Sequence, residues 1–117
     1  MTEQDLRKRT KQFALRVIKL VNALPKTQTG KVIGNQLLRS GTSVGANYRA
    51  ACRARSQADF ISKLGIVLEE ADESLYWMEL IVESNLLHQK QMTSIMQEAD
   101  ELVSIFSASL KTAKKAK

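Results

Sequence analysis

The residues best placed to do chemistry are five cations in one stretch: Lys31, Arg39, Arg49, Arg53 and Arg55. If residues 31–54 form a helix, the first four share one stripe at 100° per residue, and Arg55 follows at its end. The planar arginine fork donates two parallel hydrogen bonds to a phosphate, so this stripe reads as a surface for RNA or another polyanion. Ordinary solvation, or pairing with acids elsewhere in the chain, is the competing reading. Ser40, Ser43 and Asn47 fall inside the apolar spacing of the same stretch. A buried hydroxyl or amide left unpaired costs about 1–3 kcal/mol. These three are therefore expected to form a structural polar network across helices, meeting Ser74 or Tyr76, with ligand contact as the alternative. A serine nucleophile is not supported, because the only histidine, His88, falls in a connection and no base stands near in sequence.

Other reactive residue types lead to no site. Glu69, Glu70, Asp72, Glu73 and Glu79 could suggest a carboxylate-bridged metal pair. Such bundles require Glu-x-x-His pairs on facing helices, which one histidine cannot supply. No metal, cofactor or catalytic set is expected, and the chain reads as non-enzymatic. Cys52 is the only cysteine, which rules out an intrachain disulfide and fits a reducing cytoplasm. It reads as a small packing residue. Tyr76 and Trp77 are expected to anchor helix packing or a subunit interface, with base stacking as the alternative.

These residues must be held by helices. Residues 3–24 place Leu6, Phe13, Val17, Leu20 and Leu24 on one face, and Pro25 stops the helix. Residues 31–54 place Ile33, Leu37, Ser40, Val44, Asn47 and Ala51 towards the core. Gly34, Leu38, Gly41, Gly45 and Cys52 form a second strip, next to the basic one. Glycine costs a helix roughly 1 kcal/mol relative to alanine. Three of them imply close approach by another helix or subunit, or else a kink near residues 40–43. Ser56 with Asp59 reads as an N-cap pair. The third helix then runs to about residue 85, with Phe60, Leu64, Val67, Ala71, Leu75, Met78 and Val82 as its seam. The fourth covers residues 91–113 on Met92, Ile95, Ala99, Leu102, Phe106, Leu110 and Ala113. It ends in Lys111, Lys114, Lys115 and Lys117. Four amphipathic helices with short connections predict an all-α, antiparallel up-down-up-down four-helix bundle.

The 117 residues fit a single domain over 1–117. No apolar run reaches membrane-spanning length and no secretory signal opens the chain, so the protein is expected to be soluble and unexported. The formal net charge is +6. Residues 1–26 and 27–58 each carry +5, residues 59–88 carry −6, and residues 89–117 carry +2. That asymmetry allows charge pairing within or between subunits, or a basic surface for an anionic partner.

The stretch LLRSGTSVGANYRAACRARSQADFISKLGIVLEEADESLYWMELI resembles the signature of the 23S rRNA intervening-sequence family. Arg39-Ser40, Ser43-Val44, Ala46-Asn47, Phe60, Lys63-Leu64, Glu70-Ala71 and Glu73-Ser74-Leu75-Tyr76-Trp77 carry the resemblance. It implies a four-helix bundle that assembles as a homo-oligomer, commonly a pentamer, and it points the basic surface towards RNA. It also implies an alternative: a protein-interaction adaptor or accessory subunit, for example of a polymerase or reverse transcriptase. It supplies no catalytic residues.

Overall fold

Each helix begins on a side chain that accepts a hydrogen bond from the backbone of its own first turn. Thr2 accepts from the Asp5 N–H while the Asp5 carboxylate accepts from the Thr2 N–H, a closed capping box. Thr27 accepts from Gly30, Ser56 from Asp59, and His88 Nδ1 from Lys90. These caps open α1 (Glu3–Asn22), α2 (Gln28–Cys52), α3 (Gln57–Glu83) and α4 (Gln89–Lys115) in a computed structural model that describes residues 1–116. Lys117, counted above in the basic C-terminal end, lies outside the described residues. Among the described residues there is no strand. Thr27 lets α2 start three residues earlier than its apolar pattern indicates. The helix runs unbroken through residues 40–43.

The contacts fix how the helices run. Gly34 lies against Val21 and Leu24, Gly41 against Val17, and Gly45 against Thr10. Position rises along α2 as it falls along α1, which is antiparallel packing. Arg39 with Glu73 and Ser40 with Ser74 tie α2 to α3. Arg9 with Glu98 and Arg16 with Ser94 tie α1 to α4 in the same falling order. The Gln57 side chain donates to the Ala113 carbonyl, joining the start of α3 to the end of α4. Helices α1 and α3 each pack on α2 and α4 but not on each other, so they stand diagonally in a four-helix bundle of 46 × 21 × 20 Å.

The close α1–α2 seam explains the glycines. A Cβ on Gly41 would sit 2.7 Å from Val17 Cγ1, and one on Gly45 would sit 3.2 Å from the Thr10 carbonyl oxygen. The approach that these glycines permit is therefore that of α1 of the same chain. It also turns the buried face of α2 by about 40° towards the glycine strip, at 100° per residue. Tyr48 is buried as a result, against Phe106 with ring centroids 5.3 Å apart, while Asn47 is only half-buried.

The α3 seam also differs from the apolar pattern. Leu64, Val67, Ala71, Ser74, Met78 and Ile81 are buried, and Leu75 and Val82 are half-buried. A serine can hold the central position because its hydroxyl is satisfied there. The Ser74 Oγ donates to Ser40 Oγ at 3.0 Å and lies 2.8 Å from the Glu70 carbonyl oxygen.

Candidate nucleic-acid interface

The antiparallel arrangement gathers basic residues from distant parts of the chain at one end of the bundle. Residues 1–12, 47–66 and 104–116 meet there, holding eleven Lys and Arg against three Asp and Glu. Two of the cations are committed. Arg9 forks onto Glu98 through Nε and Nη2, both at 2.7 Å, and its Nη2 also reaches Glu101. This bidentate hold raises the Arg9 pKa above its ordinary value. Lys63 pairs with Asp59 at 2.6 Å. The hydrogen bond from Lys63 is the first cause that lowers the Asp59 pKa, and the Arg55 N–H is the second.

Four of the remaining nine cations border a groove of about 690 Å³ between α1 and α2. Its banks carry Arg7, Lys8 and Lys11 on α1 and Arg49 on α2, all four exposed. Its floor is small, made from Ala14, Thr42, Gly45 and Ala46. The groove has a sequence-level cause. The glycine strip draws α1 onto α2, and short side chains at the facing positions leave a hollow that the longer basic side chains edge. Glu3 is the one acid on its lining. Among the described residues, none of the four cations forms a salt bridge.

The five cations singled out from the sequence do not act as one surface. Arg49 lies in the groove. Arg53 caps the end of α2 and Arg55 follows in the connection, both exposed at the same end of the molecule. Lys31 is exposed one turn into α2, about 27 Å from Arg49 along the helix axis at 1.5 Å per residue. Arg39 turns to the other side and pairs with α3, reaching Glu70 at 3.1 Å and contacting Glu73 through Nη2. Hydrogen bonding to Glu73 raises the Arg39 pKa. Glu73 in turn is lowered, first by the Trp77 indole N–H that donates to it at 3.0 Å and then by Arg39.

Arg7, Lys8 and Lys11 are not among the cations singled out from the sequence. The signal that marks them is indirect. The glycine strip shows where α1 must lie, which places Arg7 beside the seam at about 60° from Thr10, while Lys8, about 160° from Thr10, borders the groove from farther round α1.

The polar trio separates as well. Ser40 spans the α2–α3 seam to Ser74. Ser43 donates to the Arg39 carbonyl at 2.6 Å and Asn47 to the Ser43 carbonyl at 2.8 Å, both within α2. Tyr76 is exposed, and its ring meets Trp77 edge-on with centroids 5.1 Å apart. Burial pushes the hydroxyl of Tyr48 and the thiol of Cys52 above their ordinary values, which keeps that thiol protonated. Among the described residues, no group of three or more His, Cys, Asp or Glu side chains could hold a metal ion, and no helix is long and apolar enough to cross a membrane.

Comparison with known proteins agrees with the four-helix fold. No functionally curated protein matches the chain. A crystal structure from Bacteroides thetaiotaomicron VPI-5482, of a protein of unknown function from the S23 ribosomal protein family, is similar with a TM-score of 0.87 and 38% identity. The similarity covers 95% of this chain and 99% of that one. The model of the 23S rRNA-intervening sequence protein family matches residues 2–108. With that match spanning nearly all of the four helices, the chain belongs to the 23S rRNA-intervening sequence protein family.

Proposed function

We propose that this protein is a non-catalytic RNA-binding subunit of the cytoplasm, working as a homo-oligomer that the family resemblance makes a pentamer. The observation that carries the RNA reading is the α1–α2 groove, edged by Arg7, Lys8, Lys11 and Arg49 with a single acid on its lining. Lysine and arginine on a shallow groove neutralise phosphates without reading bases. The binding is therefore backbone-directed and sequence-tolerant. Arg53, Arg55, Lys111, Lys114 and Lys115 extend the positive field at the same end, and repetition around an oligomer multiplies it.

The test is the affinity of the intact oligomer for a labelled RNA across a salt series. The expected result is a linear fall of log affinity with log salt concentration. Absence of binding at low salt rejects the reading. If a protein partner copurifies after nuclease treatment and RNA does not, the adaptor reading replaces it.

A further inference from the structure

The glycines of α2 draw α1 onto α2, and neither α1 nor α4 carries a glycine. The α1–α4 seam is accordingly the loosest of the four around the bundle. Arg9 with Glu98 closes it towards the basic end, and from Arg16 onwards it opens into a second pocket, of about 340 Å³. Leu20 and Ala23 from the end of α1 meet Leu87 and Ile95 from the start of α4 as its apolar floor. Arg16 and Lys19 on α1 and Gln91 and Ser94 on α4 supply its polar groups. Positions 16, 19, 20 and 23 share one side of α1, and 91, 94 and 95 share one side of α4. The pocket is far from the RNA groove, with Lys19 about 18 Å along α1 from Arg7 at 1.5 Å per residue.

Each of these polar groups offers a donor, and no acid lines the pocket. Arg16 Nη2 donates to Ser94 Oγ at 2.9 Å. The serine is neutral, so this bond orients the guanidinium without cancelling its charge and leaves the hydroxyl proton free to donate. The Gln91 Oε1 accepts from the His88 N–H at 3.1 Å, which holds the amide by its oxygen and leaves Nε2 without a partner among the described residues. Among the described residues neither Arg16 nor Lys19 forms a salt bridge. Two cations and two neutral donors beside an apolar floor suit an anion that carries several acceptor oxygens on a poorly hydrated group. A phosphate monoester has three such oxygens, and an arginine fork takes two of them at once. The geometry points to a nucleoside 5′-monophosphate, its phosphate held by Arg16, Lys19 and the Ser94 hydroxyl and its base laid on Leu20, Ala23 and Leu87. The pocket is at the small end of the range of about 300–1,000 Å³ usual for ligand sites, which fits one nucleotide and excludes a duplex. That nucleotide is either free or the 5′ end of an RNA strand.

This site shares no residue with the RNA groove and does not rest on the RNA reading. It is tested on the full chain by isothermal titration calorimetry with adenosine 5′-monophosphate, adenosine and inorganic phosphate. One nucleotide is expected to bind per chain, with adenosine and inorganic phosphate each weaker by about tenfold or more. Arg16→Gln/Lys19→Gln is expected to weaken the nucleotide by about tenfold or more, and Arg7→Gln/Arg49→Gln to leave it unchanged. All four are exposed helix positions and glutamine is a good helix former, so the fold is retained, as circular dichroism checks. No heat with millimolar nucleotide, equal affinity for adenosine or inorganic phosphate, or an affinity that Arg16→Gln/Lys19→Gln leaves unchanged overturns the site. Once nucleotide binding is measured, a single-stranded RNA with a 5′-phosphate is compared with the same RNA ending in a 5′-hydroxyl. A preference for the phosphate that Arg16→Gln/Lys19→Gln abolishes identifies the RNA end as the source, and equal binding identifies the free nucleotide.

Discussion

Ser74 on α3 donates to Ser40 on α2 at 3.0 Å, inside a seam where both side chains are fully buried. Each hydroxyl also has a carbonyl of its own helix within reach, Glu70 for Ser74 and Leu37 for Ser40. Each hydroxyl proton therefore has an acceptor in either direction of the pair, and this lets a polar residue occupy a core position that leucine spacing would otherwise claim.

Replacing either serine by alanine is expected to cost about 1 kcal/mol, the net worth of one hydrogen bond. The losses should not add. Once Ser74→Ala has removed the cross-seam bond, Ser40→Ala has less to lose, so the double variant should fall short of the sum by about 0.5–1 kcal/mol. Urea unfolding of the four-protein cycle measures this. A coupling of zero would mean that the seam is held without the pair.

Gly41 and Gly65 should respond in opposite directions to the same substitution. At Gly41 a Cβ meets Val17 at 2.7 Å, whereas at Gly65 it meets nothing within 4 Å. Gly65→Ala is expected to stabilise the protein by up to about 1 kcal/mol through helix propensity. Gly41→Ala gains the same propensity but overpacks the α1–α2 seam, at a cost of about 1–3 kcal/mol. Thermal melting of the two variants should move the midpoint up for Gly65→Ala and down for Gly41→Ala.

The cations should divide by their partners when RNA binding is measured. Arg7→Gln and Arg49→Gln each remove a groove charge that has no acidic partner among the described residues. Each should weaken binding across RNA sequences alike and reduce the slope of log affinity against log salt by about 1. Arg39→Gln should leave the slope unchanged, because Glu70 and Glu73 already hold that guanidinium. Equal slopes for Arg49→Gln and the wild type would remove the groove from the binding surface.

Acid should loosen the α2–α3 seam through Glu73. Its folded pKa lies below the ordinary value of 4.5, held there by the Trp77 N–H and then by Arg39. A carboxylate depressed in the fold contributes stability that is fully present above its unfolded pKa and is lost as pH falls through the folded one. The loss therefore begins near pH 4.5 and continues below it. Glu73→Gln should flatten that part of the stability profile, and Trp77 fluorescence should report the same transition in the parent and not in the variant.

Much of the fold is readable from residue types alone. Ser56 is a cap by chemistry, and Leu64, Val67, Ala71 and Met78 repeat at helical spacing. The family follows from the middle two helices, where polar Ser40, Asn47 and Ser74 punctuate that spacing. Periodicity places a residue on a side of its helix only to within a few tens of degrees. The rotation of α2 that buries Tyr48, and the choice of Ser74 and Ile81 over Leu75 and Val82, fall inside that margin.

The charged surface is a matter of tertiary structure. By sequence, Arg39 and Arg49 are equivalent members of one stripe. In the bundle, Arg39 lies beside two glutamates more than thirty positions away, and Arg49 lies beside Arg7, Lys8 and Lys11 more than thirty positions away on the other side. A guanidinium is neutralised by acids within a few ångströms. Which groups come that close is decided by how helices pack, and nothing in the local sequence around either arginine records it. The sequence by itself determined four helices, their order and the family they belong to. Only the packing of α1 on the glycines of α2 decided which of the cations face outward together.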